Sequence, residues 1–311
     1  MNQLKQILVA WDFSPGAEAA LAQALRLAKW NQSRLTLLHV IADETIEELA
    51  LALNWSRAHV AATAEQTAQA EMETRLASEG IEATARVVVG SPLHELLTAA
   101  VTLPADLLVA GARGDSRDGA GAGTLAAKLI RKAATKVMLV QPGHTGPCRQ
   151  IVACVDFSET SVEAAKQALR VAGNDSGRVH CLHVYEPPWN ELSRRMPSLV
   201  MAADFQSRFE TAMRARLREF VGLVGADPGL TALRGSEHHS RGIAEFAHQA
   251  NADLIVLGTH GRSHLEYMLL GSTAEGLLRD LECSVLTIRA KEAPNVFDLA
   301  KNKWSRGGLN E

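Results

Sequence analysis

No stretch of this sequence approaches the roughly 18 consecutive apolar residues that a membrane-spanning helix requires, so no membrane association is expected. Cysteine is scarce. The four present, Cys148, Cys154, Cys181 and Cys283, are widely separated and form no Cys-x-x-Cys pair, so they read as reduced thiols and not as a disulfide framework. An excess of charge of one sign is also missing. With a formal net charge of -3 the chain lacks the basic field of a dedicated nucleic-acid binder, and nucleic acid is not an expected partner. The first residues pass directly into the apolar run Ile7–Trp11 without the apolar core and cleavage pattern of a secretory signal, which makes the cytoplasm the expected location. Two catalytic loops are lacking as well. There is no Gly-x4-Gly-Lys-Ser/Thr, hence no lysine placed to reach β- and γ-phosphates, and no Ser-Gly-Gly-x-Asp-Ser loop of the kind adenylate-transferring enzymes use.

What the chain does contain is a duplication. Ile7-Leu-Val-Ala-Trp-Asp-Phe-Ser14 returns as Ile151-Val-Ala-Cys-Val-Asp-Phe-Ser158, and His39-Val40 as His183-Val184, both 144 residues later. Ala105-Asp-Leu-Leu-Val-Ala-Gly111 returns as Ala252-Asp-Leu-Ile-Val-Leu-Gly258 at an offset of 147, so the second copy has gained three residues. A length of 311 residues, 47% hydrophobic and 22% charged, suits two soluble globular domains, each with its own core.

Within each half, short apolar runs alternate with helical patterns, which predicts repeated β-α units and a largely parallel sheet. Strands are expected near 5–11, 35–41, 83–89, 106–111 and 136–141, and again near 150–155, 179–185, 230–234, 253–258 and 284–289. Segments such as Glu18–Lys29 and Val162–Val171 carry alanine and leucine at helical spacing, giving an expectation of five strands and four helices per half. The run Gln141-Pro-Gly-His-Thr-Gly-Pro147 breaks both helix and strand and marks the boundary. The expected domains are 1–143 and 148–290, followed by a tail, 291–311, with a short helix near Val296–Trp304.

In open α/β sheets ligands bind beyond the carboxyl ends of the strands where strand order reverses. The second half places three features there: Asp156-Phe157-Ser158 after its first strand, Val184 at the end of its second, and the stretch Gly258-Thr259-His260-Gly261-Arg262 through Gly271-Ser272. Glycine at 258 and 261 would let backbone approach a phosphate, and Gly271-Ser272 would open a helix whose free N–H groups attract an anion, with His260 and Arg262 adding charge. Each feature has a plainer explanation. Ser272-Thr-Ala-Glu275 also reads as a helix capping box, and Asp156 as a turn former. His39 and His183, inside apolar strands, read as core histidines, and Glu237-His238-His239 with His94 or His248 as loop polarity with no recognised zinc spacing. Cys154 lies near the ligand position without any mark of an activated nucleophile.

Taken in order and spacing, Asp156 to Thr160, Leu182 to Val184 and the Gly-x2-Gly-x9-Gly-Ser run closely resemble the ATP-binding universal stress proteins, and the tandem arrangement resembles the two-domain, E-type bacterial members. That resemblance implies two Rossmann-like domains, each a five-stranded parallel sheet of order 3-2-1-4-5 with helices on both faces, paired through their last strands as a pseudo-dimer, with homodimers also open. It implies ATP, ADP or AMP as ligand, with Mg2+ bound through the phosphates and no metal site of the protein's own. The implied contacts are Cys154, Val155, Asp156, Phe157, Ser158, Val184 and Leu257 around the nucleoside, and Gly258, Thr259, His260, Gly261, Arg262, Gly271, Ser272, Thr273 and Ala274 around ribose and phosphates. No catalytic residue is implied.

The first half keeps Asp12, Ser14, Val40, Gly111 and Gly114, but eight residues instead of nine separate Gly114 from Gly123-Thr124, and that loop carries Asp115 and Asp118. Its nucleotide loop therefore reads as degenerate, and the residues Asp12, Ser14, Val40, Gly111, Gly114, Gly123 and Thr124 as a second site at most. Three functions remain open: a nucleotide-binding stress regulator with an unknown protein partner, which leads; a slow ATP hydrolase or autophosphorylating protein; and a non-catalytic interaction scaffold.

Overall fold

The structure is a computed structural model that describes residues 4–114, 122–189, 204–259, 271–279 and 282–289. Described residues up to Gly146 form one compact unit and those from Pro147 onward a second. In the first, β1 (Gln6–Trp11), β2 (Arg34–Ala42), β3 (Ala83–Gly90), β4 (Leu107–Gly111) and β5 (Lys136–Val140) lie in the order β3-β2-β1-β4-β5. In the second, β6 (Gln150–Cys154), β7 (Arg178–Tyr185), β8 (Thr231–Gly235), β9 (Leu254–Gly258) and β10 (Ser284–Ile288) repeat it as β8-β7-β6-β9-β10. All the pairings within each unit are parallel. The expected Rossmann-like fold is thus present twice.

Consecutive residues Gln6 to Val9 of β1 and Ile151 to Ala153 of β6 are all buried, which requires cover on both faces of the sheet. In the first unit the cover comes from α1 (Pro15–Asn31), α2 (Asp43–Leu53), α3 (Arg57–Leu76), α4 (Pro92–Thr102) and α5 (Thr124–Lys132). In the second it comes from α6 (Glu159–Asp175), α7 (Phe205–Val224), α8 (His239–Gln249) and α9 (Ser272–Arg279), with a short 3-10 turn at Pro228–Leu230. The first unit departs from the four helices expected of it. Its β2-to-β3 crossover holds two helices, because Asn54 takes a left-handed φ of 54° and Ser56 starts afresh, its hydroxyl accepting the His59 N–H at 3.2 Å.

Helix α1 starts where the sequence supplies a cap and a preset φ. The Ser14 hydroxyl accepts the Ala17 N–H at 3.1 Å and Pro15 occupies the first turn. The boundary segment is tied down. Gln23 of α1 donates to the carbonyls of His144 and Gly146 at 3.0 and 2.7 Å. The tail after Arg289, with the helix expected near Val296–Trp304, lies outside the described residues.

Candidate functional site

Strand order reverses between β6 and its neighbours β7 and β9, and a cleft of about 380 Å³ opens beyond the carboxyl ends of these strands. Its walls are the ends of β6, β7 and β9 and the first turns of α8 and α9. Of the expected residues, Cys154, Val155, Asp156, Val184, Leu257, Gly258, Thr259, Gly271, Ser272, Thr273 and Ala274 line it. His260, Gly261 and Arg262 lie outside the described residues.

Phe157 and Ser158 are not among the residues lining the cleft; they set the turn beside it. Phe157 has a left-handed φ of 65°, a strained conformation for a bulky residue. Its ring lies 4.5 Å from His183 and under the Arg216 guanidinium at 4.3 Å. The turn brings Ser158 into the cap of α6, where its hydroxyl accepts the Ser161 N–H at 3.1 Å and donates to Asp156 Oδ1 at 2.6 Å. The Ser158 N–H also donates to Asp156 Oδ1, at 3.0 Å. Asp156 is therefore held by Oδ1 while it borders the cleft.

His183 Nδ1 lies 2.6 Å from the Val155 carbonyl, and since a carbonyl only accepts, this nitrogen carries the proton. The matching pair in the first unit is His39 Nδ1 to Trp11 O at 2.7 Å. Both histidines tie the end of one strand to the next, as expected of core histidines, although His183 also faces the cleft.

The far end of the cleft is closed by a backbone relay. Thr259 N–H donates to Ile288 O at 2.9 Å and Gly271 N–H to Thr259 O at 3.1 Å. The first bond of α9 runs from Glu275 N–H to Gly271 O at 3.1 Å, so Gly271 stands at the cap and Ser272 in the first turn. The expected capping box, with Ser272 as its cap, does not form for that reason. The N–H groups of Ser272, Thr273 and Ala274 have no acceptor within the helix, and all three residues line the cleft.

Sequence reasoning missed Ser161, Leu182, His239 and Ile243, which also line the cleft. His239 and Ile243 are one turn apart on α8 and reach the site only because the sheet order brings the β8-to-β9 crossover over β7 and β6. His239, read from sequence as loop polarity, is thus a wall of the cleft.

The first unit has a cleft of about 440 Å³ in the same place, lined by Asp12, Val40, Gly111, Gly114, Gly123 and Thr124 among others. Ser14 again serves as the helix cap. The relay is repeated, Ala112 N–H to Val140 O and Gly123 N–H to Ala112 O, both at 2.7 Å. The base of this loop is closed as in the second unit despite the shorter spacing. Residues 115–121 lie outside the described residues.

Burial pushes the Cys154 thiol far above the ordinary range, reinforced by neighbouring Cys283, Asp156 and Cys181. A thiol so held is a poor nucleophile. A separate cavity of about 190 Å³ borders His248, Glu282 and Cys283, but burial, then Asp253 and Glu282, push the Cys283 thiol up to about 12. Among the described residues no cluster of three or more histidine, cysteine or acidic side chains is arranged to hold a metal ion, and no helix is long and apolar enough to cross a membrane.

Fold and cleft together define a tandem Rossmann-like protein with a cleft at each switch point. The chain belongs to the universal stress protein family, whose family model matches it twice, at residues 3–141 and 147–289. It is similar to universal stress protein MJ0531 of Methanocaldococcus jannaschii, 30% identical over 142 residues, covering 45% of this chain and 82% of that protein. It is also similar to a universal stress protein E homolog of Haemophilus influenzae, 27% identical over 174 residues, covering 52% of this chain and 54% of that one. The solved structure of PA1789 from Pseudomonas aeruginosa PAO1, 19% identical, shares the fold with a TM-score of 0.70 over 97% of this chain and 98% of that chain.

Proposed function

We propose that the second unit holds an adenine nucleotide in its cleft, with Mg2+ bound through the phosphates, and that the protein is a nucleotide-responsive stress regulator. The observation that carries this reading is the open space at Gly271. Among the described residues a Cβ built there meets nothing closer than Thr259 O at 3.4 Å, an ordinary contact, so their packing does not require glycine. The space it leaves faces the first turn of α9, where unpaired N–H groups and the helix dipole favour an anion. At the other end, Asp156 and the apolar wall of Val155, Val184, Ile243 and Leu257 suit the nucleoside. ATP, ADP and AMP share these features, and calorimetry of the full chain with each, in the presence of Mg2+, tests the reading. No heat with any of the three would defeat it.

Within this proposal turnover is slow or nil. Cys154 is held as a thiol, so it is not an activated nucleophile. A steady-state hydrolysis rate approaching about 10 per second, a typical enzyme value, would move the protein into the enzyme class. The family resemblance also implies that the two units pair with each other through their last strands. Separate expression of 1–143 and 148–311 in one cell tests that idea, copurification being the expected outcome.

A further inference from the structure

The same turn follows the first strand of each unit and meets different company. Phe13 and Phe157 both take a left-handed φ, 63° and 65°, and both rings pack on a strand histidine, His39 at 4.9 Å and His183 at 4.5 Å. Phe157 also carries the Arg216 guanidinium of α7 over its ring at 4.3 Å. Among the described residues no cation lies over Phe13, which is left 37% exposed. Matching buried Met72 and Leu76 of α3 to buried Leu217 and Val221 of α7, each 145 residues later, puts Glu71 where Arg216 stands. This shift lies between the 144 that separates His39 from His183 on the strand before and the 146 that separates their strand partners, Val87 and Leu233, on the strand after. The cation that the helix supplies in the second unit is thus replaced by an acid in the first.

Trp11, whose ring meets Phe13 edge to face at 5.7 Å, lines with Glu18, Glu71 and Arg75 an open groove of about 470 Å³. Arg75 is already neutralised there by Glu18 at 3.2 Å and Glu79 at 2.7 Å, whereas Glu71 is exposed and has no ion pair among the described residues. An exposed aromatic ring near an unpaired carboxylate is complementary to a cation. A guanidinium, planar and weakly hydrated, suits both groups better than an ammonium does.

We propose that this groove is an interaction surface that takes one arginine side chain of a partner polypeptide, its guanidinium over Phe13 and its charge against Glu71. The second unit fills the matching place from its own chain, with Arg216. Because the groove is open, a free amino acid would bury little of itself there, and the peptide flanking the arginine supplies the remaining contact. Amide NMR titration of the full chain with the peptide acetyl-Ala-Arg-Ala-amide, to about 10 mM, tests the proposal. Saturable shifts of the Phe13 amide and the Trp11 indole N–H are expected. Binding should weaken by about threefold or more with lysine in place of arginine, and vanish with citrulline, which keeps the shape and removes the charge. Glu71→Arg, at an exposed helix position, should fill the groove with its own guanidinium and abolish the shifts while the melting temperature changes little. Arg216→Glu should uncover Phe157, so that the peptide then shifts the Phe157 amide as well. The proposal is overturned by the absence of shifts with the arginine peptide, by equal binding of the citrulline peptide, or by unchanged binding in Glu71→Arg. Free arginine binding as tightly as the peptide overturns the choice of a polypeptide partner, and an unmoved Phe157 amide in Arg216→Glu overturns the correspondence between the two turns.

Discussion

Gly271→Val separates what the protein needs from what a ligand needs. Among the described residues the nearest atom to a Cβ there is Thr259 O at 3.4 Å, so the added side chain meets little of them. Thermal stability should change by no more than about 1 kcal/mol, the scale of a helix-cap substitution. Nucleotide affinity should fall by about tenfold or more, equivalent to about 1.4 kcal/mol. Calorimetric titration beside a melting curve reads both, and equal loss in the two would mean that glycine serves folding. Gly16 is the opposite case. A Cβ there would run into the Arg113 carbonyl, so Gly16→Ala forces α1 and the end of β4 apart. Overpacking of this kind costs about 1–3 kcal/mol, which urea unfolding would detect.

At the scale of single elements, the helix caps and one strand histidine give the sharpest expectations. Ser158→Ala removes the acceptor for Ser161 N–H and the donor to Asp156, and should cost about 1 kcal/mol of stability while loosening Asp156 in the cleft. On β7, burial and then Arg178 lower the pKa of His180. The unfolded chain therefore takes up a proton more readily than the folded one, so stability falls as pH drops below about 6.5. Urea midpoints at acid and neutral pH should converge in His180→Gln, and an unaltered acid slope would mean that another group governs it. The strands were legible to within a residue or so, the inner ones, such as β1 and β4, because a parallel strand buried on both faces reads as an unbroken apolar run. The break between α2 and α3 was not. Leu49, Leu51 and Leu53 of α2 are exposed, so their spacing does not report a buried face, and the boundary depends on Asn54 and Ser56 alone. The cleft was legible where its walls follow strands directly, as at Asp156 and Gly258. It was illegible at His239 and Ile243, which the fold imports from a distant crossover.

For the molecule as a whole, duplication has left two clefts on one plan, each with the Asp-Phe-Ser turn, the strand histidine and the backbone relay. They differ in loop length and in several side chains, so ligand responses should be read unit by unit. Hydrogen exchange on the intact chain offers a direct reading, because amide protection reports local opening without requiring the units to be separated. Saturating ATP with Mg2+ should slow exchange in peptides covering Val155–Ser161 and Gly271–Leu278, the turn and first helical residues of the second cleft. The matching peptides, Trp11–Ala17 and Gly123–Ile130, should keep their ligand-free rates. Such protection follows from mass action, since a ligand at 100 times its dissociation constant stabilises the closed state by about 2.7 kcal/mol, which lowers exchange through that opening about a hundredfold. If ATP alone protects both pairs to the same degree, the two units are equivalent nucleotide sites.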